Sequence, residues 1–187
     1  ELAEAWAVSK ARFQLAHLDL DRWLADLETD QRQLLRLQHL AEAVTPACDA
    51  KLAMLKQLIR DKVEHPTTDK RGRPNRKALV FTAFADTAAY LYTCLADWAQ
   101  SELGIHVALV TGGSGGNRTT FGRADFNQIL TNFSPVAKQR SQITTMPQEG
   151  EIDLLIATDC ISEGQNLQDC DLLVNYDIHW NPVRVIQ

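Results

Sequence analysis

No CxxC pair occurs anywhere in the 187 residues: the four cysteines, Cys48, Cys94, Cys160 and Cys170, stand apart, and the five histidines are equally isolated. Zinc ribbons and disulfide frameworks need clustered thiolates and imidazoles, so neither scaffold is expected and a reducing cytoplasm fits best. No apolar run reaches the roughly 20 residues that cross a bilayer, and the opening ELAEAWAVSK has no basic segment leading into an apolar one. A membrane association is therefore not expected. Basic charge is scarce as well: 19 Lys and Arg against 24 Asp and Glu give a formal net charge of −5, which argues against a surface coated for nucleic-acid binding but not against a local basic patch. What remains is an ordinary globular composition, 45% hydrophobic and 23% charged, long enough for one domain with a core or a domain plus an appendage.

Glycine and proline are absent from residues 1–45, where Trp6, Phe13, Leu20, Leu27 and Leu34 recur every seventh residue beside a row of Ala16, Trp23 and Leu37. That spacing predicts a helical stripe. A single helix would be about 65 Å long at 1.5 Å per residue, so it either folds back near Leu18–Asp21 or Glu28–Asp30, or projects as an arm toward a protein partner. Thr45 and Pro46 break the pattern. A second helix follows, with Asp49 as its cap and Leu52, Leu55, Leu58, Ile59 and Val63 on its apolar face, until His65 and Pro66. The segment from Thr67 to Lys77 then carries the densest positive charge of the chain and two turn formers, as a solvated or phosphate-contacting loop would.

Ala78–Phe84 is strand-like and runs into Asp86, the expected cap of a helix over 87–102 that buries Ala88, Leu91, Leu95, Trp98 and Ala99 and stops at Gly104. Ile105–Val110 is a second strand, so this stretch predicts a right-handed crossover and a parallel pair. GGSGGNRT, from Gly112, nearly fits the phosphate loop GxxxxGK[ST], but Asn117 stands in place of its second glycine and Arg118 in place of its lysine. A mobile glycine-rich loop is the expectation, and a degenerate nucleotide binder dependent on Arg118 the alternative. Phe121–Phe133 predicts a short helix striped by Phe126, Ile129, Leu130 and Phe133; Ser134–Gly150 reads as an exposed, disorder-prone connection.

Residues 151–187, EIDLLIATDCISEGQNLQDCDLLVNYDIHWNPVRVIQ, organise the rest. The apolar run Ile152–Ala157 is a buried strand ending in the polar pair Thr158 and Asp159. Asp171–Asp177 repeats that plan, and the carboxyl ends of such strands are where α/β sheets gather ligands. ATDCISEGQNLQ resembles motif V of superfamily 2 helicases and translocases, and NYDIHWNPVRVIQ resembles the approach to motif VI in their Swi/Snf-related branch. LVFTAF resembles motif IV. The chain starts without methionine and stops inside the second motif, and is read as a fragment: a helical extension over residues 1–46 and a helicase C-terminal lobe over residues 47–187.

The resemblance implies an α/β fold of three layers with a mostly parallel RecA-like sheet. It implies a motor that translocates on or remodels DNA or RNA, using ATP and Mg2+ in a cleft completed by an N-terminal RecA-like lobe. Thr82, Phe84, Thr111, Gly112, Thr158 and Ser162 match positions that contact the nucleic-acid backbone. Asp159, Glu163, Gly164, Asn166 and Gln187 match the side facing ATP. No catalytic or metal-binding residue is expected within the fragment, which alone should bind no cofactor tightly and hydrolyse ATP negligibly. The expected location is cytoplasmic, or nucleoid-associated in a bacterium. An Asp159 and Glu163 acid/base pair is the hydrolytic alternative. The competing class is a non-enzymatic α/β interaction module whose arm, residues 1–45, recruits a partner.

Overall fold

The computed structural model describes residues 6–8, 12–14, 19–69, 72–112, 116–161 and 165–177. The chain divides into two compact units, residues 1–49 and 50–187. In the first, β1 (Trp6–Val8) and β2 (Arg12–Gln14) pair antiparallel with Ala7 opposite Phe13. This corrects the expectation of helix across the whole of residues 1–45. Trp, Val and Phe suit a pleated ribbon, and helix begins only where a capping side chain is available. That residue is Asp19, whose carboxylate accepts the Arg22 amide at 3.1 Å to open α1 (Leu20–Glu42). The helix thus starts within the Leu18–Asp21 stretch, whereas α1 runs unbroken through Glu28–Asp30. Its apolar stripe is uncovered: α1 buries none of its residues, and Leu34 is 65% exposed.

The second unit opens with α2 (Ala50–Glu64), which buries Leu52, Leu55 and Ile59 as the pattern predicts while Leu58 stays exposed. A two-residue ribbon follows, β3 (Thr67–Thr68) against β4 (Pro74–Asn75), with Gly72 between them at φ 76°. The main sheet has the order β7-β6-β8-β5-β9, made from β5 (Ala78–Phe81), β6 (His106–Val110), β7 (Arg118–Thr119), β8 (Ile152–Ala157) and β9 (Leu172–Asn175). All of its pairings are parallel except that of β7 with β6. The expected crossover from β5 through α3 (Ala85–Trp98) to β6 is present, but its strands are not neighbours. The more apolar β8 lies between them, buried at every position but Asp153, as the centre of a sheet covered on both faces requires.

Local signals set these helix ends, with one exception. Phe84 occupies the cap position of α3 without a side-chain bond, so Asp86 lies in the first turn instead of capping it. The helix passes into a π turn (Ala99–Leu103) and stops at Gly104, φ 63°, at the predicted place. α4 (Phe126–Phe133) is shorter than predicted because Asp125 caps it, accepting the Gln128 amide at 3.1 Å.

Two cores flank the sheet and make it three layers. Leu52, Leu91 and Leu95 of α2 and α3 meet Val80, Leu109 and Ile156 on one face. Ile129, Leu130 and Phe133 of α4 meet Leu79, Ala108 and Leu155 on the other. Each such large side chain contributes about 1.5–3 kcal/mol by leaving water. The register slips between His106, opposite Ile152, and Val107, opposite Leu154, leaving Asp153 as the extra residue of a bulge. That slip turns Ile152 to the same face as Leu155.

The segment from Ser134 to Gly150 is mostly exposed and built of turns, as its composition predicts, but it is pinned to the fold at a few buried points. Ser134, Arg140 and Met146 are buried, and the Val136 and Ala137 amides donate to the Asp169 carboxylate at 2.7 and 3.0 Å. Polar pairing across the fold does what apolar bulk does elsewhere. Among the described residues, no helix is long and apolar enough to cross a membrane.

Candidate functional site

The parallel strands end in step. Phe81 and Val110 both pair with Ala157, and Phe81 also pairs with Asn175, so one row crosses β6, β8, β5 and β9. The hydrogen bonds run one residue further: Thr82 N to Ala157 O at 3.0 Å, Thr158 N to Val110 O at 3.2 Å and Tyr176 N to Phe81 O at 2.7 Å. Thr82, Thr158 and Tyr176 therefore form a continuous rim at the carboxyl edge, with Thr111 following Val110 beside them.

The side chains on this rim differ in what they offer. Thr82 is 2% exposed, and its hydroxyl donates to Asp177, with the Phe84 carbonyl a second acceptor at 3.4 Å. It anchors the rim, and the exposed group beside it is Phe84, 61% accessible. The Thr111 amide donates to Asn117 Oδ1 at 3.2 Å, folding the loop after β6 back toward β7. Gly112 lies so close to the next strand exit that a Cβ there would sit 3.3 Å from the Cys160 Cβ. Thr158 is half-buried, with its hydroxyl 3.5 Å from the Cys160 sulfur, and Asp159–Ile161 forms a single 3-10 turn directly beyond it. Asn166 is exposed, and its Oδ1 accepts the Gln168 amide at 3.4 Å. Ser162, Glu163, Gly164 and Gln187 lie outside the described residues.

Three residues of the rim escaped the sequence reading. Asp177 Oδ2 accepts from both Thr82 and the Ala83 amide, while its Oδ1 is 3.3 Å from Lys51 Nζ. Burial raises the Asp177 pKa, but the bonds from Thr82, Lys51 and Ala83 together outweigh it and hold the carboxylate below its ordinary range. Lys51 also lies 3.9 Å from the centre of the Tyr176 ring, so α2, β9 and β5 are clamped at one corner. The signal was present in outline, since Tyr176 and Asp177 close the second apolar strand. Their partners are 94 and more residues away and could not be read locally.

The phosphate-loop alternative meets a geometric obstacle. Such a loop leads into a helix whose amino end faces the phosphates. Here Arg118 and Thr119 form β7, which returns antiparallel along β6. A strand in that position presents no helix terminus to an anion.

Residues 50–187 match the family described as the helicase conserved C-terminal domain. A Bacillus subtilis protein named "Uncharacterized ATP-dependent helicase YqhH" is 53% identical over 38 residues, 20% of this chain and 7% of that protein. "Putative ATP-dependent DNA helicase fml2" of Schizosaccharomyces pombe is 28% identical over 126 residues, 66% of this chain and 14% of that protein. "Dicer-like protein 1" of Neurospora crassa is 26% identical over 144 residues, 74% of this chain and 8% of that protein. The chain thus spans a small part of each relative's length. A parallel sheet whose strand ends form one polar rim, matched from α2 onward by the family, shows that the chain belongs to the helicase C-terminal domain family.

Proposed function

We propose that residues 50–187 serve as the C-terminal motor lobe of an ATP-dependent helicase or translocase of the Swi/Snf-related branch. The rim of Phe84, Thr111, Gly112 and Thr158 lies against the DNA or RNA backbone, with Ser162 beside it and Thr82 as its anchor. Asp159, Glu163, Gly164, Asn166 and Gln187 face the nucleotide. The observation that carries this reading is the common row in which the parallel strands end, because a lobe that steps along phosphates needs several donors held in one rigid line. Backbone amides and short hydroxyls suit that task, since they grip phosphate without reading sequence.

ATP bound in such a cleft supplies the phosphoryl group whose hydrolysis drives stepping. The reading assigns Mg2+ and the phosphate loop to an N-terminal lobe and leaves this one a positioning role. The protein acts in the cytoplasm, or on the nucleoid in a bacterium.

The test uses the protein that carries this lobe. Phe84→Ala and Thr158→Val are expected to lower nucleic-acid-stimulated ATP hydrolysis at least about tenfold, by analogy with loss of charged hydrogen bonds and of a stacking face. Hydrolysis without nucleic acid should change less than twofold. Stimulation that survives both substitutions refutes the placement of nucleic acid at this rim.

The open apolar face of α1 favours a second role beside the first. Leu24, Leu27, Leu34 and Leu35 line a groove of about 610 Å³ on that helix, which suits a protein-docking arm. Deleting residues 1–45 should then abolish association with a protein partner while leaving nucleic-acid affinity unchanged; a matching loss of nucleic-acid affinity would count against the arm.

A further inference from the structure

At the opposite edge of the sheet from the rim, the Ser134–Gly150 segment folds over a polar cleft of about 610 Å³ that Arg140, Arg73, Gln139, Gln148, Gly150 and Glu151 help to line. Arg140 is 7% exposed, a burial that arginine reaches only with strong compensation. Among the described residues its side chain has one hydrogen-bond acceptor, and that is neutral: Nη1 donates to Asn132 Oδ1 at 3.1 Å. No carboxylate lies within ion-pair distance of it among the described residues. Glu151, which acts on it from further away, is already paired with Lys77 at 2.8 Å.

The other carboxylates around this edge are also engaged. Asp69 pairs with Arg73 at 2.9 Å, and Asp169 accepts the Val136 and Ala137 amides. A largely buried cation is left over that lines the cleft and has one neutral acceptor among the described residues.

The backbone is bent to produce this arrangement. Gln139 is the only non-glycine residue with positive φ among those described, at 51°, and it immediately precedes Arg140. A left-handed conformation is unfavourable for a residue that carries a Cβ. On the far side Gly150, φ 72°, leaves no room for a side chain, because a Cβ would come within 2.8 Å of the Phe121 ring. Gln148 Nε2 ties the segment together through the Ile143 and Met146 carbonyls at 3.0 and 2.9 Å.

We propose that this cleft is a binding site for a phosphate oxyanion held by the guanidinium groups of Arg140 and Arg73. Arg73 spends Nε and Nη2 on Asp69, so Arg140 is the principal donor, and the oxygens of a tetrahedral phosphate, which point in different directions, can meet both guanidinium groups better than a planar carboxylate. The volume admits a phosphate attached to a larger body, so the anion is either free phosphate or a phosphodiester of a polynucleotide. The site goes beyond the motor reading and does not depend on the rim.

The test follows the melting temperature of the full chain against inorganic phosphate and, separately, chloride at matched ionic strength. Phosphate should stabilise beyond chloride, and Arg73→Gln and Arg140→Lys should each weaken apparent phosphate affinity about tenfold, the scale of a charge-assisted contact. Arg73 is half-exposed and its replacement leaves the core intact; Phe84→Ala should leave the phosphate effect in place. Absence of any phosphate-specific shift, or a shift retained in both arginine variants, overturns the proposal. A single-stranded 12-mer identifies the source. If Arg73→Gln weakens its binding and reduces the salt slope by about one, the site holds backbone phosphate; if 12-mer binding is unchanged while the phosphate shift is lost, it holds the free anion.

Discussion

The corner where Asp177 meets Thr82 allows a quantitative test of how the rim is held. Asp177 receives two hydrogen bonds at one oxygen, from the Thr82 hydroxyl and the Ala83 amide, and an ion pair from Lys51 at the other. Bonds to a charged group contribute about 1.5–3 kcal/mol each when buried, whereas an ion pair to an exposed lysine contributes about 0–1 kcal/mol. Lys51 is 56% exposed and the Ala83 bond is long at 3.2 Å, so the Thr82 bond dominates. Asp177→Ala should therefore cost about 2–4 kcal/mol and Thr82→Val about 1–2 kcal/mol. The Phe84 carbonyl partly rescues the threonine when Asp177 is lost. In urea unfolding the midpoints should fall with slopes unchanged, and the double variant should be less destabilised than the sum by about 1–2 kcal/mol. Additivity within about 0.5 kcal/mol would refute the claim that these two residues act as one anchor.

The same pair fixes the sign of an acid effect. Because folding lowers the Asp177 pKa, the carboxylate contributes stability above its unfolded value, near 3.9 for an ordinary aspartate. That contribution disappears as the pH falls through the folded value. Asp177→Asn should flatten the acid limb of the stability curve below about pH 4 and lower the plateau above it. A variant whose acid limb matches the parent's would place the proton uptake elsewhere.

Two further outcomes follow from other sites. Burial raises the pKa of Asp153 at the β8 bulge, with Lys77 opposing; its raised value means stability is lost as pH rises through it, so Asp153→Asn should raise the urea midpoint at pH 7 and lose that advantage in acid. Cys170 is pushed up to about 11 by burial, whereas Cys48 is exposed and lowered by the Thr45 hydroxyl; alkylation at pH 8 followed by peptide mass spectrometry should modify Cys48 first and Cys170 last, and the reverse order would contradict both environments.

What could be read from the sequence was what the chain decides locally. The β8 run, the α4 stripe and the stop at Gly104 are each written within a single turn or strand, and they stand where the pattern put them. Strand order is different, because β8 enters between β5 and β6 after a long excursion and no local period announces it. The same limit explains why the anchoring points of the exposed Ser134–Gly150 connection could not be read. Few large apolar side chains occur there, yet the segment is ordered by amides that reach Asp169 more than 30 residues on and by a buried arginine.

At the rim the split runs through a single residue type. Thr82, Thr111 and Thr158 are equivalent in sequence, each a hydroxyl one step past an apolar strand, and the structure gives them unequal surroundings. The strand of Thr82 has β9 as a neighbour, and β9 delivers Asp177 directly onto its hydroxyl. The strands of Thr111 and Thr158 neighbour each other instead, and what meets their ends is Asn117, Gly112 and Cys160. Position in the sheet therefore decides which threonine is buried as an anchor and which stay partly accessible. Moving the carboxylate should move the anchor with it: Asp177→Ala frees the Thr82 hydroxyl from its strongest acceptor, so on the proposed motor reading nucleic-acid affinity should fall although Asp177 itself serves only to hold the rim.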